Sequence, residues 1–342
     1  MRKSLFFFAV VFSLFSSDKP LSVVVIGAGP CGLALAIEAF MEGAMVTIIE
    51  KRSEYTRSQS LFLFEPALEL LNKLDIVFPS IRIGDLCDSK KVGLLKINQL
   101  ENALALRVSE LNIKRVQGEF ISISDGFFAR VVTGDGIIEI PYDILVGADG
   151  LHSLVRNAVE APCIIYEKAK VSSTFIDLPA LFNEVEIPQA VLYKGLFVKK
   201  MVTHTGSYII VQKSENSPSR DLDITDDKLI EEIARALGWN VEADLIANGE
   251  AIIAEEIDIV LQQVQKFSNS CKSIILVGDA VAVASFIQGM GVNYGFQTVM
   301  IAVEFLRKIR EDKEFAYIEY NNNMQLVTDN LLQDSKYLIY KL

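Results

Sequence analysis

Residues 22–50, SVVVIGAGPCGLALAIEAFMEGAMVTIIE, decide how the rest of the chain is read. Val23–Ile26 is a short β-branched run of the kind buried on both faces of a sheet. Gly27, Gly29 and Gly32 then spell G-x-G-x-x-G where that strand must turn into a helix. The first glycine permits the tight turn, the second lets a pyrophosphate approach the backbone, and the third lets helix lie close on strand. First-turn N–H groups and the positive end of the helix dipole would face the phosphates. Leu33, Ala34, Ala36 and Ile37 form a small apolar inner face, and Gly43 is placed to cap the helix. A second apolar run, Met45–Ile49, ends in Glu50, whose carboxylate can accept from both hydroxyls of an adenosine ribose. The plainer alternative is a glycine-bearing βαβ unit with no ligand. Strand, helix, strand and terminal acid in sequence favour a dinucleotide site.

The 342 residues suffice for a large core and two interleaved domains. Mean hydropathy of +0.31 is high for a soluble chain. A net charge of −11 argues against nucleic acid as a partner and against basic patches on an anionic membrane. Cys31, Cys87, Cys163 and Cys271 are scattered without C-x-x-C spacing, and only His152 and His204 accompany them, so buried free thiols are expected and a metal site is not. Met1-Arg2-Lys3, the apolar Ser4–Phe15 and the small Ser16-Ser17 make a signal-like or membrane-anchoring leader. The chain would then be exported or membrane-associated, and cytoplasmic if the run is only an apolar extension.

Lys51–Ser60 reads as a polar loop, and LFLFEPALELLNKL (61–74) passes from strand to helical period, with Pro66 in the first helical turn. Leu100, Leu104, Val108 and Leu111 share one face of a helix over 98–111. Short strands follow, punctuated by Asp125-Gly126 and Gly134-Asp135-Gly136 and ending in the buried run YDILVG (142–147). Alternating segments between 162 and 213 predict antiparallel strands, and Asp226–Gly238 an amphipathic helix. Ile274–Val277 is a last buried strand. From Gly291 the chain reads as helical, with breaks near Glu311-Asp312 and Asn321–Asn323.

Two further stretches, DILVGADGLHSLVR (143–156) and IILVGDAVAVASFIQGMGVNYGFQT (274–298), complete a trio with the opening one. In order and spacing the three resemble the group A FAD-dependent monooxygenases of the p-hydroxybenzoate hydroxylase type. The resemblance covers 22–160 and 270–305 and reaches the intervening sheet only by position. It implies an α/β fold: a Rossmann-like FAD-binding domain with a mostly parallel sheet, an inserted antiparallel substrate domain, and C-terminal helices. The expected division is a leader at 1–20, the FAD-binding domain at 21–161 and again at 266–342, and the substrate domain at 162–265.

Carried over residue by residue, the resemblance implies that Gly27, Gly29 and Gly32 cradle the FAD pyrophosphate and that Glu50, followed by Lys51, serves the adenosine ribose. Asp149 and Gly150 match a turn near the pyrophosphate that Arg156 closes. Gly278 and Asp279 match the pair that holds the flavin ribitol, and Gly289, Gly291, Asn293 and Gly295 match the loop and helix start beside the ring. Arg57 would reach the flavin or nicotinamide phosphates. Gln99 falls at a position of polar FAD contacts, while Asn98 stands where an arginine is common. The segment EKRSEYTRSQSLFLFEPALELL (50–71) also resembles the MICAL-type monooxygenase domains, which oxidise actin methionines.

Departures from the family pattern fall in the third motif. No proline lies between Asp279 and Thr298, Phe286 or Ile287 standing in its place; Met290 replaces the usual residue between the glycines, and Thr298 a frequent Asp. These bear on flavin positioning more than on flavin binding.

The activity implied is oxygenation of an apolar or aromatic small molecule by NADPH or NADH and O₂ through a C4a-hydroperoxyflavin. Two other readings stay open: an FAD-dependent reductase of the geranylgeranyl-reductase type, and a non-catalytic FAD-binding protein that interacts through its C-terminal helices. Trp239 is the only tryptophan and W-x-W-x-I-P is absent, which speaks against a flavin-dependent halogenase.

Overall fold

The opening stretch folds as its pattern dictates, into β1 (Ser22–Ile26), α1 (Pro30–Met41) and β2 (Met45–Glu50), with β1 and β2 parallel and Val23 opposite Val46. The computed structural model describes residues 19–57, 59–78, 80–82, 91–124, 127–159, 163–179, 189–203, 206–283 and 289–340. The leader at 1–18, Cys87, His204, the Asp125-Gly126 turn and Phe286-Ile287 lie outside them.

After β2 come β3 (Ser60–Leu63) and α2 (Glu65–Lys73), where Pro66 occupies the first turn, the place where its missing N–H costs nothing. Strands β4 (Ser80–Arg82) and β5 (Lys91–Lys96) join β3 in a small antiparallel sheet of order β3-β5-β4. Helix α3 (Ile97–Glu110) returns the chain to β6 (Lys114–Gln117), which pairs parallel with β2. A meander of β7 (Glu119–Ser124), β8 (Phe128–Thr133) and β9 (Gly136–Pro141) leads into β10 (Ile144–Gly147), buried at every position. β10 lies parallel to β1 on the side away from β2, so the strand order reverses at β1.

The short α4 (Val155–Ala158) leads into the second large sheet. This consists of β11 (Cys163–Leu178), β12 (Gln189–Tyr193), β13 (Leu196–Thr203), β14 (Gly206–Ser214), β15 (Ile252–Ile253) and β16 (Ile257–Val264). Helices α5 (Asp227–Ala236) and α6 (Asn240–Ala247) interrupt it. Then β17 (Ile274–Leu276) closes the parallel sheet beside β10, and β18 (Ala282–Val283) joins the antiparallel one beside β16. The two sheets run β17-β10-β1-β2-β6, all parallel, and β12-β13-β14-β11-β16-β18 with β15 on β11, all antiparallel.

Period-two alternation gives the antiparallel sheet two apolar faces. Ile176, Leu196, Val198, Ile209 and Val211 pack on α5 and α6 around Trp239. Val171, Met201, Tyr208, Ile210, Ile259 and Leu261 face the other way, against Phe62 of β3 and Leu332. Leu332 belongs to α8 (Lys313–Tyr340), which follows α7 (Gly291–Lys308).

One element goes beyond the sequence reading and one expectation needs correction. Helix α6 was not signalled by the sequence pattern. The expected break at Asn321–Asn323 does not occur: Tyr320 and Met324 are buried, and the Tyr320 hydroxyl donates to Leu276 O at 2.6 Å. Asn321 returns its own amide to Tyr317 O at 2.7 Å, so tertiary packing overrides weak local propensity. Among the described residues no helix is long and apolar enough to cross a membrane.

Candidate cofactor site

In a parallel sheet every strand ends at the same edge, and here that edge gathers all three motifs. The Gly27–Gly32 turn leaves β1, Glu50 ends β2, Asp149-Gly150 follow β10, and Gly278-Asp279 follow β17. The turn is packed to its limit. Gly27 has φ +100°, and a Cβ there would sit 2.4 Å from Ala148 O; one on Gly32 would sit 2.0 Å from Gly27 O. Gly29 differs, because nothing lies within 4 Å of where its Cβ would be. Beside that open space begins α1, whose N-terminus carries no side-chain cap.

Glu50 is buried at the base of the turn. Its Oε2 accepts from Ala28 N–H at 2.7 Å, and its Oε1 from Arg52 N–H at 2.9 Å and Arg52 Nε at 3.2 Å. Burial opposes ionisation, but these hydrogen bonds outweigh it and hold the carboxyl below its ordinary value.

The third motif meets the first at Cys31. A Cβ on Gly278 would come 2.9 Å from Cys31 Sγ, and one on Gly295 2.5 Å from it, so the thiol is wedged where the starts of α1 and α7 close on the turn after β17. Thr298 ties the same turn to α7, accepting from Gly278 N–H at 2.8 Å and donating to Gly295 O at 2.6 Å. Asp279 stands here with its carboxyl open to water along one side and ringed by protein elsewhere. Burial pushes it up and the Arg57 guanidinium opposes that shift. The Cys31 thiol is likewise raised, by burial first and then by the Asp279 charge. Cys31, Asp279 and Arg57 thus share one groove.

The other predicted residues divide. Asp149 accepts from Leu154 N–H at 2.7 Å and Val155 N–H at 3.3 Å through Oδ2, while Oδ1 is buried without a partner. Gly150 and Gly291 border open space. Arg156 is buried, and its Nη2 donates to Leu151 O. Gly289 borders Phe62. The Asn293 amide is committed to backbone: Nδ2 donates to Phe62 O at 2.7 Å and Oδ1 accepts from Phe64 N–H at 2.8 Å, stapling β3 to the start of α7. Lys51 is exposed and pairs with Glu119 at 3.2 Å, and Gln99 Oε1 caps its own helix by accepting from Lys96 N–H at 2.9 Å.

Sequence reading missed three members of the groove: Arg52, Cys31 and Glu101. Glu101 is fully buried and ion-paired with Arg57. Its signal was legible, because an acid four residues after Ile97 and three before Leu104 falls on the buried stripe of α3. A groove of about 480 Å³ lined by Ile121, Phe127, Tyr142 and Leu154 contains none of the residues predicted to bind the cofactor.

The residues fit a bound dinucleotide. The open flank of Gly29, the uncapped N-terminus of α1, the fixed Glu50 carboxylate and the water-accessible Asp279 lie along one edge of the sheet.

Comparison with known proteins agrees. Residues 20–78 and 124–320 match the family model described as FAD binding domain. The [F-actin]-monooxygenase Mical of Drosophila melanogaster is 32% identical over 195 residues, 54% of this chain and 4% of that protein. The chain therefore spans only a small fraction of that relative's length. Among solved structures, 2-methyl-3-hydroxypyridine-5-carboxylic acid oxygenase superposes with a TM-score of 0.75 at 16% identity, covering 95% of this chain and 92% of that one. Aklavinone-11 hydroxylase, solved in a ternary complex with FAD and aklavinone, superposes with a TM-score of 0.66 at 16% identity, covering 86% and 64%. These likenesses are of fold. The chain belongs to the FAD binding domain family.

Proposed function

We propose that the chain is an FAD-dependent monooxygenase that uses NADPH or NADH and O₂ to oxygenate an apolar or aromatic small molecule. The observation that carries this reading is the wedge at Cys31, where the starts of α1 and α7 and the Gly278-Asp279 turn form one groove at the strand ends. Gly29, Gly150 and the α1 N-terminus would hold the pyrophosphate, Glu50 the adenosine ribose, and Asp279 the ribitol. Lys51, exposed and paired with Glu119, would act at the rim of the adenosine end. FAD, when bound, supplies the passage of electrons from nicotinamide to dioxygen. The N-terminus of α7, behind Gly289 and Gly291, would face the ring and favour negative charge there. The sheet face of Val171, Met201, Tyr208 and Ile210, closed by Phe62 and Leu332, would orient an apolar substrate and exclude water.

Spectroscopy and labelled oxygen test this. Purified protein should carry a yellow flavin, consume NADPH in air, and place one atom of ¹⁸O₂ in an oxygenated phenol or related aromatic. A colourless preparation that takes up no FAD would sink the reading. NADPH-driven reduction of a double bond with no label incorporated would instead identify a reductase, and a flavin that NADPH never reduces a non-catalytic binder. The identity with Mical favours a second reading, in which the oxygenated group belongs to a protein such as F-actin. Incubation of F-actin with the protein and NADPH, followed by mass spectrometry for an added oxygen, separates the two.

A further inference from the structure

We propose that Glu101 is a positioning residue that presents Arg57 to the pyrophosphate of the cofactor; this rests on the FAD reading above. Glu101 projects from the buried stripe of α3 and is fully inaccessible to water, a costly place for a carboxylate without ionic partners. Both partners come from the loop after β2. Arg57 Nη2 bonds Glu101 Oε1, and Arg52 Nη2 lies 4.0 Å from the same oxygen. Arg52 is already committed elsewhere: its Nε and Nη2 reach Glu50 at 3.2 and 3.4 Å, and its guanidinium lies 5.9 Å from the Tyr55 ring centre. Arg57 is the one that extends toward the groove. Its side chain is 42% exposed, and its charge is felt at both Asp279 and Cys31.

The guanidinium is therefore held by a buried anchor on α3 within electrostatic reach of Asp279 and Cys31. A guanidinium has five donors in a rigid fork, so anchoring by Glu101 leaves donors for a phosphate. The second Glu101 oxygen, Oε2, is buried without a partner, so this carboxylate is held in place with acceptor capacity to spare. The anchor matters more in this chain because Asn98, not a cation, precedes it by three residues on the same helix. Without Glu101, Arg57 would be one more solvated loop charge.

A double-mutant cycle tests the coupling. FAD dissociation constants would be measured by flavin fluorescence quenching for the wild type, Glu101→Gln, Arg57→Ala and the double variant, with thermal unfolding of the FAD-free proteins alongside. Each single change should weaken FAD binding roughly tenfold, as expected for one charge-assisted contact, and the double variant should be no weaker than either. In the FAD-free proteins, Arg57→Ala should lower the melting temperature only while Glu101 is present. Additive effects on FAD binding would show that the two residues act independently, and tighter binding by Glu101→Gln would show that the carboxylate competes with the phosphate; either overturns the proposal. Because a buried variant can fail to fold, Arg57→Lys is a second arm. Lysine keeps the charge but lacks the rigid planar fork that would hold the Glu101 carboxylate and a phosphate in fixed geometry, so unchanged FAD affinity there also overturns it. A wild type that binds no FAD overturns the flavoprotein reading itself, and is told apart from these outcomes at the first titration.

Discussion

Gly29 and Gly32 lie one helical turn apart and should fail differently when given a methyl group. On Gly32 it would meet backbone at 2.0 Å, so Gly32→Ala should cost about 2–4 kcal/mol of stability. On Gly29 it meets nothing within 4 Å, so Gly29→Ala should melt within about 0.5 kcal/mol of the parent yet lose FAD affinity. Melting curves with and without FAD read both effects. The two acids at the strand ends carry opposite signs. Glu50 is held below its ordinary value, so it contributes stability at neutral pH that is lost as pH falls from about 4.3 through its folded value. Glu50→Gln should flatten the acid limb of a stability–pH curve. Asp279 is raised by burial, so its ionisation costs stability as pH rises through that value. Asp279→Asn should raise the melting temperature of the FAD-free protein at neutral pH while weakening FAD retention. The motif residues were legible in the sequence because each sits beside a strand end that its own hydrophobic run announces. Cys31 was not: its role depends on Gly278 and Gly295, which only folding brings to it.

At the scale of elements, Asn293 shows how a loop motif can serve packing. Its amide satisfies the carbonyl of Phe62 and the N–H of Phe64, joining β3 to α7. Asn293→Ala would leave both backbone groups without their partner in a buried setting, and about 2–4 kcal/mol of stability should be lost in denaturant unfolding. Helices with marked amphipathic period, such as α3 and α5, were read from sequence to within a residue or two of each end. Helix α8 was read as interrupted because three consecutive asparagines signal a turn locally. The side chains that override them, Tyr320 and Met324, act through a core made largely by residues far away in sequence. For the same reason the expected domain boundaries leave out α8's contribution of Leu332 to the wall of the antiparallel sheet.

For the molecule as a whole, the crossing of the two sheets is the decisive arrangement. Thr328 accepts from Gln263 of β16, and the Tyr320 hydroxyl holds both Leu276 N–H and Leu276 O of β17, so α8 fastens the antiparallel sheet and the parallel sheet together. A chain ending at Asp312 should lose its cooperative unfolding transition by calorimetry, because Tyr320, Met324 and Leu331 leave the core with it. The strand order also carries a kinetic consequence. β10 receives its second neighbour, β17, only when Leu145 finds Ile274, and Cys31 waits still longer for Gly295. During synthesis the first βαβ unit emerges long before Ile274 and stays unsealed along one side until β17 follows. Such long-range closure is slow and leaves apolar strand surface open to wrong partners. Yield in expression should therefore respond to chaperone supply and to lowered temperature more than to changes on the surface of the finished protein.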